Sequence, residues 1–160
     1  SVKENIFNIL IHSPKLNINI EKSNVLDLYS GIGSFGIECI SRGADKVIFF
    51  EQNITASNIL KENLMNLSIT HKSKIINQKI EDYRIENLSD KFHIFFFDPP
   101  FVSNEFIKNL KKIKIAKLFK SNHVIILHRE KKTNDNLNNI IKILEKKEYG
   151  RSKIIFGSFD

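Results

Sequence analysis

Val25-Leu26-Asp27-Leu28-Tyr29-Ser30-Gly31-Ile32-Gly33-Ser34-Phe35-Gly36 decides the fold class. An apolar stretch from Val25 to Tyr29 reads as a strand. It runs into Gly31-x-Gly33-x-x-Gly36, and a helix is predicted from there to about Arg42, stopped at Gly43 by a left-handed cap. Between a strand and a helix these glycines permit a tight turn and a close backbone approach to a ligand. The glycines alone do not choose the ligand, because nucleotide, dinucleotide and S-adenosylmethionine sites all use them.

Two acids narrow the choice. Asp27 lies inside the end of the first strand. Glu51 ends the second, predicted over Lys46 to Phe50, where a carboxylate can accept both hydroxyls of a ribose. Dinucleotide loops usually enter the first glycine from an apolar strand. A carboxylate at Asp27 is badly placed beside a pyrophosphate; it suits a cationic aminoacyl group, and it can also order the loop.

Farther along, Phe92 to Phe97 is an apolar run broken only by His93, and it stops at Asp98-Pro99-Pro100-Phe101. Each proline locks φ and lacks an N–H, so neither helix nor ladder continues. The expected result is a rigid corner at the carboxyl end of a buried strand, where open α/β sheets bind ligands. It presents a carboxylate, carbonyls and a ring: groups that can grip an NH2 and stack on a base. By itself the corner reads equally well as a strand-ending turn.

The remaining elements alternate. Helices are expected over Lys3 to Ile11, after the cap Asn53, from Ser103 to about Lys114, and over Asn134 to Lys146 through Leu137, Ile140, Ile141 and Leu144. Strands are expected over Lys74 to Asn77, Lys91 to Phe97 and Asn122 to Leu127, with a closing β element over Lys153 to Phe159. Strand–helix alternation predicts an α/β fold, a mostly parallel sheet with helices on both faces. No repeat, linker or domain boundary interrupts residues 1–160, so one domain is expected.

The chain of 160 residues is 41% hydrophobic, with a net charge of +7 and a pI near 9.4. A basic domain of this size favours a polyanionic partner, although the abundance of Ile and Asn indicates that part of the lysine content reflects A/T-rich coding. No apolar run approaches a membrane span, and the first residues carry no signal-peptide pattern. Cys39 is the single cysteine, which excludes an internal disulfide and is compatible with a reducing cytoplasm. The five histidines show no metal-ligand spacing, so no metal is expected. The start at Ser1, without an initiator Met, suggests that residues precede it.

The motifs together resemble the RsmD family, bacterial 16S rRNA guanine-N2 methyltransferases. The resemblance rests on Asp27-Leu28-Tyr29-Ser30-Gly31-Ile32-Gly33-Ser34-Phe35-Gly36-Ile37-Glu38, on Ser41-Arg42-Gly43-Ala44, on Glu51, on Asp98-Pro99-Pro100-Phe101 and on Tyr149-Gly150. It spans essentially the whole chain and implies that an upstream basic segment of the family is missing. The implied fold is the Rossmann-like class I methyltransferase domain, with a seven-stranded sheet and an antiparallel C-terminal strand. The implied cofactor is S-adenosylmethionine, held by Asp27, Tyr29, Ser30, Gly31, Gly33, Gly36, Glu51, Gln52, Lys79 and Ile80. The implied partner is 16S rRNA or an assembling small ribosomal subunit, met by a cytoplasmic monomer.

Lys79 departs from the family, because it stands where many class I enzymes place an acceptor for the adenine amine, and lysine accepts nothing. Backbone near Ile80, or Asp82, is the expected substitute. The family often carries an acid after the fifth strand; here the residues are His128-Arg129-Glu130, to which no role is assigned.

In the implied chemistry Asp98 and the Pro99 carbonyl accept the two N–H bonds of an exocyclic amine, Asp98 takes the proton, and Phe101 stacks on the base. Lys108, Lys111 and Lys112 share a helix face and are candidates for phosphate contacts, or for a merely solvated face. Asn63 is expected to make a buried structural hydrogen bond, and Cys39 to sit in the core. Three rivals remain open: a DNA adenine-N6 methyltransferase with an equivalent corner, a silent fold that only binds RNA, and an NAD-dependent dehydrogenase. The first usually carries a target-recognition domain for which there is no room, and Asp27 disfavours the last.

Overall fold

Short apolar runs become strands: β1 (Asn24–Asp27), β2 (Lys46–Phe50), β3 (Ser73–Ile76), β4 (Phe92–Phe97), β5 (Phe119–Glu130), β6 (Ile141–Tyr149) and β7 (Ser152–Phe159). The helices are α1 (Val2–His12), α2 (Ser34–Ser41), α3 (Ile54–Asn66) and α4 (Glu105–Ala116). The structure is a computed structural model that describes residues 1–159.

The strands form one seven-stranded sheet in the order β3-β2-β1-β4-β5-β7-β6. β1 pairs in parallel with β2 and β4, and β5 extends the parallel set. β7 runs antiparallel to both of its neighbours, so it alone is inverted. The connections leave β1 toward opposite edges, which opens a crevice at the carboxyl ends of β1 and β4, the usual ligand position in such sheets. Asp27, Glu51 and Asp98 all reach those ends.

Alternation along the strands divides the core. Leu26, Ile48, Phe50, Phe95 and Phe97 join Phe106, Leu110 and Ile113 of α4 on one face. Val25, Val47, Phe49, Ile94 and Phe96 face α1, α2 and α3 on the other, where Cys39 is also buried. There Phe35 stacks between Phe7 and Phe96, with centroids 5.2 and 4.1 Å away. Each large apolar side chain so buried contributes roughly 1.5–3 kcal/mol. Two glycines of the loop are required, Gly33 by its left-handed backbone and Gly36 by space. At Gly33, with φ +93°, a Cβ would lie 2.3 Å from Leu60 Cδ1; at Gly36 it would lie 2.4 Å from Phe49 Cε1.

One expected element does not form. The helix over Asn134 to Lys146 is instead a turn followed by β6, which pairs with β7 from Ile141↔Phe159 to Tyr149↔Ser152. Local hydrogen bonding competes with the helix here: Asn136 Oδ1 accepts from the Asn138 N–H at 3.2 Å, and Asn139 is left-handed at φ +63°. Leu137 and Ile140 still bury their side chains, so the helical spacing is satisfied by a turn. β5 also runs longer than Asn122 to Leu127, starting at Phe119 and reaching Glu130. Among the described residues no helix is long and apolar enough to cross a membrane.

Candidate active site

Both acids of the glycine loop are built into its backbone. Asp27 Oδ2 accepts from the Gly36 N–H at 3.2 Å, which fixes the first turn of α2. Its other oxygen is buried without a partner among the described residues. Burial pushes the Asp27 carboxyl up to about 8; the Gly36 hydrogen bond opposes the rise, and the negative charges of Asp98 and Glu51 add to it. Glu51 Oε1 accepts from Gly31 N at 2.8 Å, and its Oε2 from Asn53 N at 2.9 Å. Ser30 donates both its N–H and its hydroxyl to the Phe50 carbonyl, each at 3.0 Å. Asn63 donates to the Ile32 carbonyl at 3.1 Å, a structural bond as expected, but at the exposed rim of the loop and not buried as the sequence predicts.

A cleft of about 470 Å³ opens beside this loop. Tyr29, Glu51, Gln52, Lys79, Ile80 and Pro100 line it. Asp82 lines it too, so an acceptor is available near Lys79. Asp27, Gly31, Gly33 and Gly36 stand behind the wall rather than in it. Asn109 of α4, itself buried, donates to Tyr29 Oη at 2.8 Å and to Glu81 at 3.1 Å. Burial raises the Tyr29 hydroxyl well above its usual range, so it stays protonated.

Asp98 lies at the carboxyl end of β4 and is exposed. Pro99 is buried, Pro100 is exposed, and Phe101 is 43% exposed. Among the described residues no donor reaches the Pro99 carbonyl. Two residues left without a role by the sequence hold this corner. His128 Nδ1 sits 3.0 Å from Asp98 Oδ1, and its Nε2 3.0 Å from Ser152 Oγ. An ionised Asp98 accepts only, so Nδ1 carries the proton and Nε2 accepts from the Ser152 hydroxyl in the neutral ring. Among the described residues no donor reaches Asp98 Oδ2. Arg129 is buried and donates to the carbonyls of Pro100 and Phe101 at 3.2 and 3.1 Å. Asp135 pairs with it at 2.8 Å, and the Phe106 ring lies 4.7 Å from its guanidinium carbon. The available signal was positional: His128 and Arg129 directly follow the apolar run of β5, as Glu51 and Asp98 follow those of β2 and β4.

The lysines expected on one face of α4 separate. Lys108 and Lys111 are exposed, and Lys108 pairs with Glu105 at 4.0 Å. Lys112 turns the other way, its Nζ 3.4 Å from the carbonyls of Ile80 and Tyr83. It braces the wall of the cleft, because a helix packed on the sheet must turn one flank toward the neighbouring loop.

Residues 1–158 match the family model described as conserved hypothetical protein 95. Ribosomal RNA small subunit methyltransferase D of Haemophilus influenzae is 34% identical over 132 residues, covering 81% of this chain and 65% of that protein. The protein of the same name from Buchnera aphidicola subsp. Baizongia pistaciae is 33% identical over 150 residues, covering 82% of this chain and 73% of its own length. The chain thus spans just under two thirds of the Haemophilus relative. A crystal structure from Haemophilus influenzae, described as that of a methylase, superposes with a TM-score of 0.80 at 29% identity, over 99% of this chain and 97% of that one. A conserved protein of Streptococcus pyogenes shares the fold, with a TM-score of 0.84 at 23% identity. The chain therefore belongs to the RsmD family, that of ribosomal RNA small subunit methyltransferase D, and has its class I methyltransferase fold.

Proposed function

We propose that this chain transfers a methyl group from S-adenosylmethionine to the exocyclic N2 of a guanine in 16S rRNA. The observation that carries the reading is Asp98: one carboxylate oxygen is held by His128, while the other, and the Pro99 carbonyl beside it, meet no donor among the described residues. Two unengaged acceptors on a rigid corner match the two N–H bonds of an amino group.

The residues fit the cofactor. The buried, unpartnered oxygen of Asp27 calls for a cation, which the ligand's ammonium group provides. Gly33 and Gly36 leave no room for a side chain beneath the loop. Each Glu51 oxygen keeps a lone pair for a ribose hydroxyl after accepting its backbone N–H. Tyr29, Gln52, Lys79 and Ile80 line the cleft, and Ser30 and Gly31 belong to the loop beside it. When bound, S-adenosylmethionine supplies a methyl carbon on a sulfonium, whose C–S bond breaks as the C–N bond forms.

Asp98 Oδ2 and the Pro99 carbonyl hold the amine so that its lone pair, otherwise delocalised into the ring, faces the methyl. The methylated nitrogen is briefly cationic and releases one proton to Asp98, which returns it to water. Phe101 offers a face on which the base stacks. His128 fixes the carboxylate without touching the base, and is a positioning residue. The choice of guanine and of 16S rRNA rests on the family.

Labelled methyl from S-adenosylmethionine, incubated with small-subunit ribosomal RNA from cells lacking this protein, should enter the RNA. Absence of label from naked RNA and from small subunits alike would overturn the reading.

A further inference from the structure

We propose that the groove between Phe101 and the β6–β7 turn takes the single-stranded RNA segment carrying the target nucleotide, with Lys131, Lys132 and Arg151 on its phosphates. The inference rests on the RNA reading above and names its docking site, which is not on α4.

The D-P-P-F corner has two open sides. Pro100 belongs to the cleft of about 470 Å³ beside the glycine loop. Phe101 belongs to a separate groove of about 810 Å³, lined also by Lys131, Lys132, Arg151 and Ser152, with the carboxylates of Glu130 and Glu148 in the same wall. Asp98, two residues before Pro100, is tied through His128 to Ser152 in the groove wall. In-line transfer needs donor and acceptor on opposite sides of the reacting carbon, so a corner with a separate opening for each suits it. The groove falls within the roughly 300–1,000 Å³ of small-ligand sites, large enough for a splayed nucleotide.

Its chemistry suits a nucleic acid strand. Phe101 is a half-exposed ring at the inner end, and Val102 beside it is fully exposed. Stacking on such a ring tolerates any base and holds single strands. The Lys131 N–H donates to the Arg151 carbonyl at 2.7 Å, which sets the two side chains on adjoining chain ends. Arg151 has no carboxylate partner among the described residues. Lys131 and Lys132 pair with Glu148 and Glu130 at 3.7 and 3.5 Å, with lysine side chains 57% and 86% exposed. Ion pairs that open to water are weak and exchange readily for phosphate. Lys112, by contrast, is committed to the carbonyls of Ile80 and Tyr83.

The test compares K131A/K132A/R151A with K108A/K111A, using small-subunit RNA and intact small subunits from cells lacking this protein. The groove variant should raise the RNA KM by about tenfold or more and reduce the slope of log affinity against log salt by about 2, as three lost phosphate contacts require. Its affinity for S-adenosylhomocysteine should stay within about twofold, which shows that it is folded, and K108A/K111A should change little. Active wild type with an unchanged KM and slope in the groove variant overturns the groove alone. The same losses in K108A/K111A only would return the site to α4. Wild type that binds no RNA overturns the groove and the RNA reading together.

Discussion

The two halves of the site are held in opposite ways. The half around the glycine loop is braced by its own neighbourhood: Asp27 reaches Gly36, and Glu51 reaches Gly31 and Asn53. The half around Asp98 is braced by side chains of the neighbouring strand β5, His128 and Arg129, some 30 residues on along the chain. The glycine loop, whose backbone N–H groups are taken by Asp27 of its own strand and by Glu51 at the end of β2, is formed before any ligand arrives. A corner clamped from β5 depends on the sheet being assembled, and variants at β5 should disturb it without touching the loop.

The largest break should come at Asp98. Asp98→Ala should lower kcat on the order of a thousandfold or more while S-adenosylhomocysteine affinity stays near wild type. His128→Ala should cost about tenfold in kcat, the value of one charge-assisted hydrogen bond, and His128→Asn should recover part of it, since its amide can donate to Asp98. Turnover retained in Asp98→Ala would remove the corner from the chemistry.

Arg129→Ala tests the β5 clamp. It leaves the part-buried Asp135 unpaired and removes a buried guanidinium, and should cost about 3 kcal/mol in urea unfolding. Below the unfolding transition, cofactor affinity should be spared. A drop in that affinity would show that the halves are coupled.

Glu51 tests the local brace. Glu51→Ala should weaken S-adenosylhomocysteine binding by about an order of magnitude or more, because the variant loses both the ribose acceptor and the acceptor of Gly31. Unchanged affinity in calorimetry would take Glu51 out of the site.

The smallest effect is a proton. Asp27, raised to about 8 by burial, is protonated in the free protein at pH 7. Pairing with an ammonium should lower it, so binding should release up to about one proton at pH 7, read as a dependence of the binding heat on buffer ionisation. The same shift has a stability consequence. A carboxyl whose folded value lies above its unfolded value stabilises fully below about pH 4, and that contribution is lost as pH rises toward 8. Asp27→Asn should flatten this slope in the free protein and abolish the proton release.

The same contrast explains what the sequence disclosed. The glycine loop and both acids were legible because each acid ends an apolar run and because glycine is demanded by the backbone at Gly33 and by space at Gly36. The corner was legible as a position, since two prolines after an apolar run admit few structures. Its clamps were not, because nothing local ties His128 or Arg129 to Asp98; only the β4–β5 pairing does. The β6 segment failed for a related reason: Leu137, Ile140, Ile141 and Leu144 satisfy helical spacing, yet pairing with β7 and the asparagine turn prevail. Lys112 was placed on the correct helix, but its flank is fixed by the loop it meets.

The corner is expected to deliver a guanine amine to the methyl group. The direct measurement is to methylate ribosomal RNA from a strain lacking this protein with labelled S-adenosylmethionine, digest it to nucleosides and identify the labelled one. N2-methylguanosine is the expected product. Label in N6-methyladenosine, or incorporation only into DNA, would contradict it and transfer the corner to the adenine reading.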